Sequence, residues 1–66
     1  MNTTMKRGDV TFKWNGGHTV NVFYRGRNVD VFSVGDFSKN EATREDVLKG
    51  IRGYDLDNAK EAYRNG

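Results

Sequence analysis

The sequence predicts an α+β domain: a three-stranded antiparallel β-meander packed by a C-terminal helix, with a short second helix after it. Three observations predict it. From Asp9 to Val34 apolar and polar residues alternate with a period of two. Two turn signals, Asn15-Gly16-Gly17 and Gly26-Arg27, cut that stretch into three runs. Beyond Gly35-Asp36 the spacing becomes helical, with Val47, Leu48, Ile51 and Tyr54 on one face.

The elements follow in order. Residues 1–8 are polar and read as a flexible N-terminus, ahead of a single small domain over 9–66. The strands fall at about 9–14, 18–24 and 28–34. The main helix spans about 43–53, with Thr43 as N-cap and Asp46 three residues on, a variant of the capping box. Gly50 and Gly53 each weaken that helix by about 1 kcal/mol relative to alanine. The second helix spans about 56–64, opens at Asp55 or Asp57, and presents Leu56, Ala59, Ala62 and Tyr63.

Register can be argued from the requirement that one face stay apolar. A two-residue Gly26-Arg27 turn opposes Arg25 to Asn28, Tyr24 to Val29, Val22 to Val31 and Val20 to Ser33. A three-residue loop over Asn15–Gly17 opposes Trp14 to His18, Phe12 to Val20 and Val10 to Val22. The core face is then Val10, Phe12, Trp14, Val20, Val22, Tyr24, Val29 and Val31, covered by Val47, Leu48 and Ile51. The outer face is Arg7, Asp9, Thr11, Lys13, Thr19, Asn21, Phe23, Arg25, Asp30, Phe32 and Val34.

Two phenylalanines on a polar sheet face need a reason. One is that the C-terminal segment covers them, or that the true register differs from this one. A second is a protein interface through Phe23, Phe32 and Val34. A third is nucleic acid, with Phe23 and Phe32 stacking on bases, Asn21 central, and Arg7, Lys13, Arg25 and Arg27 engaging phosphates. Asp9 and Asp30, on the same face in this register, repel phosphate.

Charge adds to the third reading. The 66 residues carry 11 Lys+Arg and 9 Asp+Glu. Residues 1–28 hold five bases and one acid, whereas residues 29–66 hold six bases and eight acids. A basic half beside a mildly acidic half suits nucleic acid or an acidic protein partner. Asp36, Glu41, Glu45, Asp46, Asp55, Asp57 and Glu61 group near the two helix starts. There they complement the helix dipoles, or form a patch for a basic partner.

Catalysis is not expected. His18 is the sole histidine, no cysteine is present, and no nucleophile and base are paired by spacing. No metal site or cofactor is expected either: Asp55, Asp57 and Asn58 begin like a calcium loop, but its glycine position is Lys60. No small-molecule substrate is expected. The absence of cysteine, of a long apolar run and of a signal-peptide-like start points to a cytoplasmic protein that does not enter a membrane.

In its order of elements, a three-stranded sheet followed by a packing helix, the chain resembles the AP2 domains of plants and the arm-binding domains of phage integrases. That resemblance implies a sheet inserted in a duplex major groove. Lys13, Arg25 and Arg27 would reach bases or phosphates there, with Asn21 or Thr19 central. The function expected is therefore that of a small non-catalytic regulatory protein that binds nucleic acid through the outer sheet face and basic hairpin. The alternative is a protein-binding module, such as a phage-type inhibitor of a host protein or a homodimer joined through Phe23 and Phe32.

Overall fold

The computed structural model describes residues 3–66. The fold is α+β, with two helices on one face of an antiparallel sheet, but the sheet has four strands. These are β1 (Thr3–Arg7), β2 (Val10–Trp14), β3 (Thr19–Tyr24) and β4 (Arg27–Ser33), adjacent in chain order. Helices α1 (Arg44–Gly53) and α2 (Leu56–Asn65) follow.

The added strand lies in the segment read as a flexible N-terminus, whose first two residues fall outside the described ones. Thr3–Arg7 pairs along its length with Val10–Trp14 through a two-residue Gly8-Asp9 turn. Gly8 has φ 63, the positive value that the first central residue of a type II′ hairpin turn requires. Met5, opposite Phe12, is the apolar anchor of β1 and packs against the core.

The other two hairpins differ from the expected registers. Trp14 opposes Val20 instead of His18, because the β2–β3 loop is two residues longer than expected. The loop is held by its own side chains: the Trp14 indole donates to the Gly17 carbonyl at 2.7 Å, and Asn15 Oδ1 accepts from the Gly17 N–H at 3.2 Å. A shift of two residues leaves the faces unchanged. In the β3–β4 hairpin the turn residues are Arg25 and Gly26, with φ 53 and 79, so Tyr24 opposes Arg27. Positive φ at both central residues is the type I′ geometry, which matches strand twist.

A bulge then changes the face of β4. Phe23 opposes Asn28, yet Val22 opposes Asp30, leaving Val29 as the extra residue. Beyond the bulge, Val31 turns outward and is 52% exposed, while Phe32 turns inward opposite Val20. Phe32, Val34 and Asp30 therefore do not lie on the outer face, and Val31 does not lie on the core face. The exchange places a larger ring in the core. Phe12, Phe32 and Tyr54 form a triangle with centroid separations of 6.1, 5.7 and 5.3 Å. Asp30 is compensated by the Tyr54 hydroxyl, which donates to Oδ2 at 2.7 Å. Burial, and then this bond, push the Tyr54 hydroxyl well above its usual range.

The core joins Val10, Phe12, Val20 and Val22 of the sheet to Val34 and Ala42 of the connection, Val47 and Ile51 of α1, and Ala59 of α2. Helix α1 starts at a true capping box. Thr43 Oγ1 accepts from the Asp46 N–H at 3.2 Å, and Asp46 Oδ2 accepts from the Thr43 N–H at 3.0 Å. Hydrogen bonding from Thr43, its backbone N–H first, holds the Asp46 carboxyl below its usual range. Asp55 caps α2 by accepting from the Asp57 N–H at 3.0 Å.

The two glycines of α1 have opposite roles. A Cβ on Gly50 would lie 2.7 Å from Val34 Cγ1, so the missing side chain is what lets α1 approach the sheet. A Cβ on Gly53 would meet nothing within 4 Å. Gly53→Ala is expected to raise stability by about 0.5–1 kcal/mol. Gly50→Ala is expected to lower it by about 1–2 kcal/mol, because overpacking against buried Val34 outweighs the helix-propensity gain. Urea denaturation of the pair reads the difference directly; equal shifts would contradict the close approach.

Candidate nucleic-acid interface

Both helices pack on the inward face, so the other face of the sheet is open. The pairing sets two rows across it. Lys6, Thr11, Phe23 and Asn28 form one, and Thr4, Lys13, Asn21 and Val31 the next. Thr19 and Ser33 continue beyond them. Among the described residues, none of these outward positions carries a carboxylate. The objection that Asp30 would repel phosphate on this face falls with the bulge, because Asp30 is turned to Tyr54. Asp9 sits in the β1–β2 turn at the end of the strands.

Phe23 is half-buried on the inner strand β3, in the row nearest the β3–β4 hairpin tip, and the Lys13 ammonium stands 4.6 Å from its ring centroid. That distance is a cation–π contact. Asn21 is exposed between Lys13 and Val31. Of the residues expected to form the interface, Lys13, Asn21 and Phe23 are thus brought together.

Arg25 and Arg27 belong to a second group at the hairpin tip. Tyr24 and Tyr63 meet edge to face at 5.3 Å. The Arg25 guanidinium lies 5.5 Å from the Tyr24 ring and 5.9 Å from the Tyr63 ring. Arg27 lies 4.6 Å from the Tyr63 ring and donates to the Tyr63 carbonyl at 3.4 Å, near the end of α2. Lys60 and Arg64 of α2 complete a cleft of about 220 Å³ with Tyr24, Arg25 and Tyr63. Sequence reasoning missed Lys60, Tyr63 and Arg64 as part of this site. Their spacing puts them on neighbouring helix positions, but only the packing of α2 beside the hairpin joins them to Arg25.

Three expected residues lie elsewhere. Arg7 pairs with Val10 and reaches across to α1, donating to the carbonyls of Ile51 at 2.9 Å and Tyr54 at 2.6 Å. It closes the C-terminal end of α1, where carbonyls lack partners and positive charge is favoured. Phe32 packs against the core, and Val34 is buried in it. An interface built on Phe23, Phe32 and Val34 together is therefore not present on one surface. The acidic residues are engaged in part by their own backbone: Asp46 and Asp55 cap helices, and Asp36 Oδ1 accepts from the Ser38 N–H at 2.9 Å.

His18 latches the connection between β4 and α1. Nδ1 lies 2.9 Å from the Val34 carbonyl and Nε2 lies 2.8 Å from the Lys39 carbonyl. Carbonyls only accept, so both bonds form together only when both ring nitrogens carry protons. The two carbonyls, Val34 first, raise the His18 pKa above its ordinary 6.5, and Asp36 and Asp46 add to the effect. Because the folded value is the higher one, the stabilisation is complete below about pH 6.5 and is lost as pH rises through the folded pKa. Amide protection factors in residues 36–41, taken relative to the base-catalysed intrinsic rates, are expected to fall over that rise, and His18→Gln is expected to remove the pH step. A titration of His18 below its ordinary value would contradict the latch.

Among the described residues no helix is long and apolar enough to cross a membrane, and no group of three or more His, Cys, Asp or Glu could hold a metal ion. Comparison with protein-family models, with curated proteins and with solved structures finds no match for this chain.

Proposed function

We propose that the protein binds nucleic acid without catalysing a reaction, using the open face of the sheet and the basic hairpin. The observation that carries this reading is the open face itself. It holds Lys6, Lys13, Phe23 and Val31 among threonines, asparagines and a serine, and no carboxylate among its described outward positions. A net charge of only +2 makes that segregation informative, since the acids are abundant and stand elsewhere. Beyond the hairpin tip, Arg25, Lys60 and Arg64 add further charge for phosphate.

Binding through phosphate releases counterions, so affinity for a labelled oligonucleotide is expected to fall steeply with salt. The slope of log K against log salt is about −0.7 per phosphate neutralised on a single strand and about −0.9 on duplex. Arg25→Ala is expected to weaken binding and to flatten that slope by roughly one contact. Absence of binding at low salt, or affinity indifferent to salt, would overturn the proposal.

A further inference from the structure

The fourth strand changes what the open face can fit. Three inter-strand gaps of about 4.8 Å give a backbone sheet about 14 Å across before side chains are added. A B-DNA major groove is about 12 Å wide and admits a helix or a two-stranded ribbon. A four-stranded face laid flat is too broad for it. A single strand, whose bases are free to splay onto a sheet, meets no such limit.

The side chains agree with that geometry. Phe23 offers a ring on the open face near the hairpin tip, and Lys13 lies over it at 4.6 Å. The ammonium occupies the space that a stacked base would take, and its flexible stem lets it move aside to a phosphate. Asn21, one position before Val22 on the same strand, can donate and accept at a base edge. Arg25, in the hairpin turn two residues beyond Phe23, lines the tyrosine cleft, which lies round the tip on the helix side of the sheet.

The cleft is built for an anion. Arg25, Lys60 and Arg64 line it with Tyr24 and Tyr63, and no carboxylate lines it. At about 220 Å³ it is smaller than a pocket for a drug-sized ligand, and suits a phosphate with part of its sugar. The charge complementarity of both regions selects the same occupant.

We infer that the ligand is a single strand of nucleic acid, with a base stacked on Phe23 on the open face and a phosphate further along the strand reaching, over the hairpin tip, the Tyr24–Tyr63 cleft on the helix side. This inference rests on the nucleic-acid reading above and commits it to one form of the polymer. Lys13 exchanges its ring contact for a phosphate contact as the strand binds, so the site opens by a side-chain movement alone.

Competition measured by fluorescence anisotropy tests it. The full chain is titrated with a labelled single-stranded DNA of about 12 nucleotides, a length in the range such surfaces span. Single-stranded RNA and duplex DNA of the same sequence are the competitors, all at about 50 mM salt. Single strands are expected to bind at least about tenfold tighter than duplex, with the DNA and RNA arms showing whether the sugar matters. Phe23→Leu keeps an apolar side chain on the sheet and is expected to lose about tenfold on single strands and little on duplex. The Lys60→Ala/Arg64→Ala pair is expected to flatten the salt dependence while leaving the helical circular dichroism unchanged. Duplex binding as tight as single strand, with Phe23→Leu without effect, would overturn the inference and leave nucleic-acid binding standing. No binding to any of the three would overturn both.

Discussion

Phe12→Ala is expected to lower the free energy of unfolding by about 3–5 kcal/mol. Phe12 is 1% exposed and lies between Met5 of β1 and Val22 of β3 in the pairing of the sheet. Its ring also meets Phe32 and Tyr54, so truncation removes one corner of the aromatic triangle and leaves a cavity lined by rings that cannot collapse into it. At about 0.05–0.15 kcal/mol per residue, a chain of 66 residues holds only about 3–10 kcal/mol in all. The loss is therefore about a third or more of the total, and at the lower end of that range the variant is expected to be largely unfolded. Phe37→Ala is the matched comparison: Phe37 is 70% exposed and touches the His18 ring at 5.0 Å, so its loss is expected to cost less than about 1 kcal/mol. Urea melts followed by circular dichroism rank the two. A loss below about 1 kcal/mol at Phe12 would mean that the core is centred elsewhere.

Lys13→Glu is expected to reduce oligonucleotide affinity by about tenfold or more, about 1.4 kcal/mol, with stability almost unchanged. The side chain is exposed on the open face, and its reversal puts a carboxylate beside Phe23, where none stands now. Lys49→Glu makes the same change of net charge from an exposed position on α1. Charges more than about 8–10 Å from the ligand are largely screened at physiological salt, so this variant is expected to lose less than about threefold. Equal losses from both variants would show that only overall charge matters, and that the open face has no special part in binding.

Much of the architecture is legible in the sequence because local rules and packing agree. The capping box of Thr43 and Asp46, the cap at Asp55 and the inward set Val10, Phe12, Val20 and Val22 all follow from residue type and spacing. The strand β1 does not, because Thr3-Thr4-Met5-Lys6-Arg7 contains one apolar residue and is held by pairing that only the folded sheet supplies. Shifting each hairpin register by two residues costs nothing in face assignment. The bulge at Val29 does, since one extra residue exchanges Val31 and Phe32 between faces. Nothing in the alternation of Val29, Val31 and Phe32 signals it. What decides it is the room for a large ring beside Phe12 and Tyr54, with a tyrosine hydroxyl to satisfy Asp30.

The site divides the same way. Lys13, Asn21 and Phe23 share a face because they sit two apart on β3 or opposite one another across β2 and β3, and period two reveals that. The tyrosine cleft joins residues from β3, the hairpin and α2, and such a non-local arrangement has no periodic signature. Arg7 shows the converse. A basic residue next to a basic strand reads as a phosphate contact, yet its guanidinium serves two carbonyls at the end of α1.

The measurement that bears most directly on the account is a heteronuclear NMR titration of the labelled protein with a short single-stranded oligonucleotide at low salt. The account predicts that shifts concentrate on Lys6, Thr11, Lys13, Asn21, Phe23 and Val31, extend to Arg25, Lys60 and Arg64, and reverse on adding salt. The amides of Glu45 to Lys49 on α1 are expected to stay in place. Shifts confined to α1 and the 36–46 connection, or none at all, would contradict the assignment of the open sheet face as the binding surface.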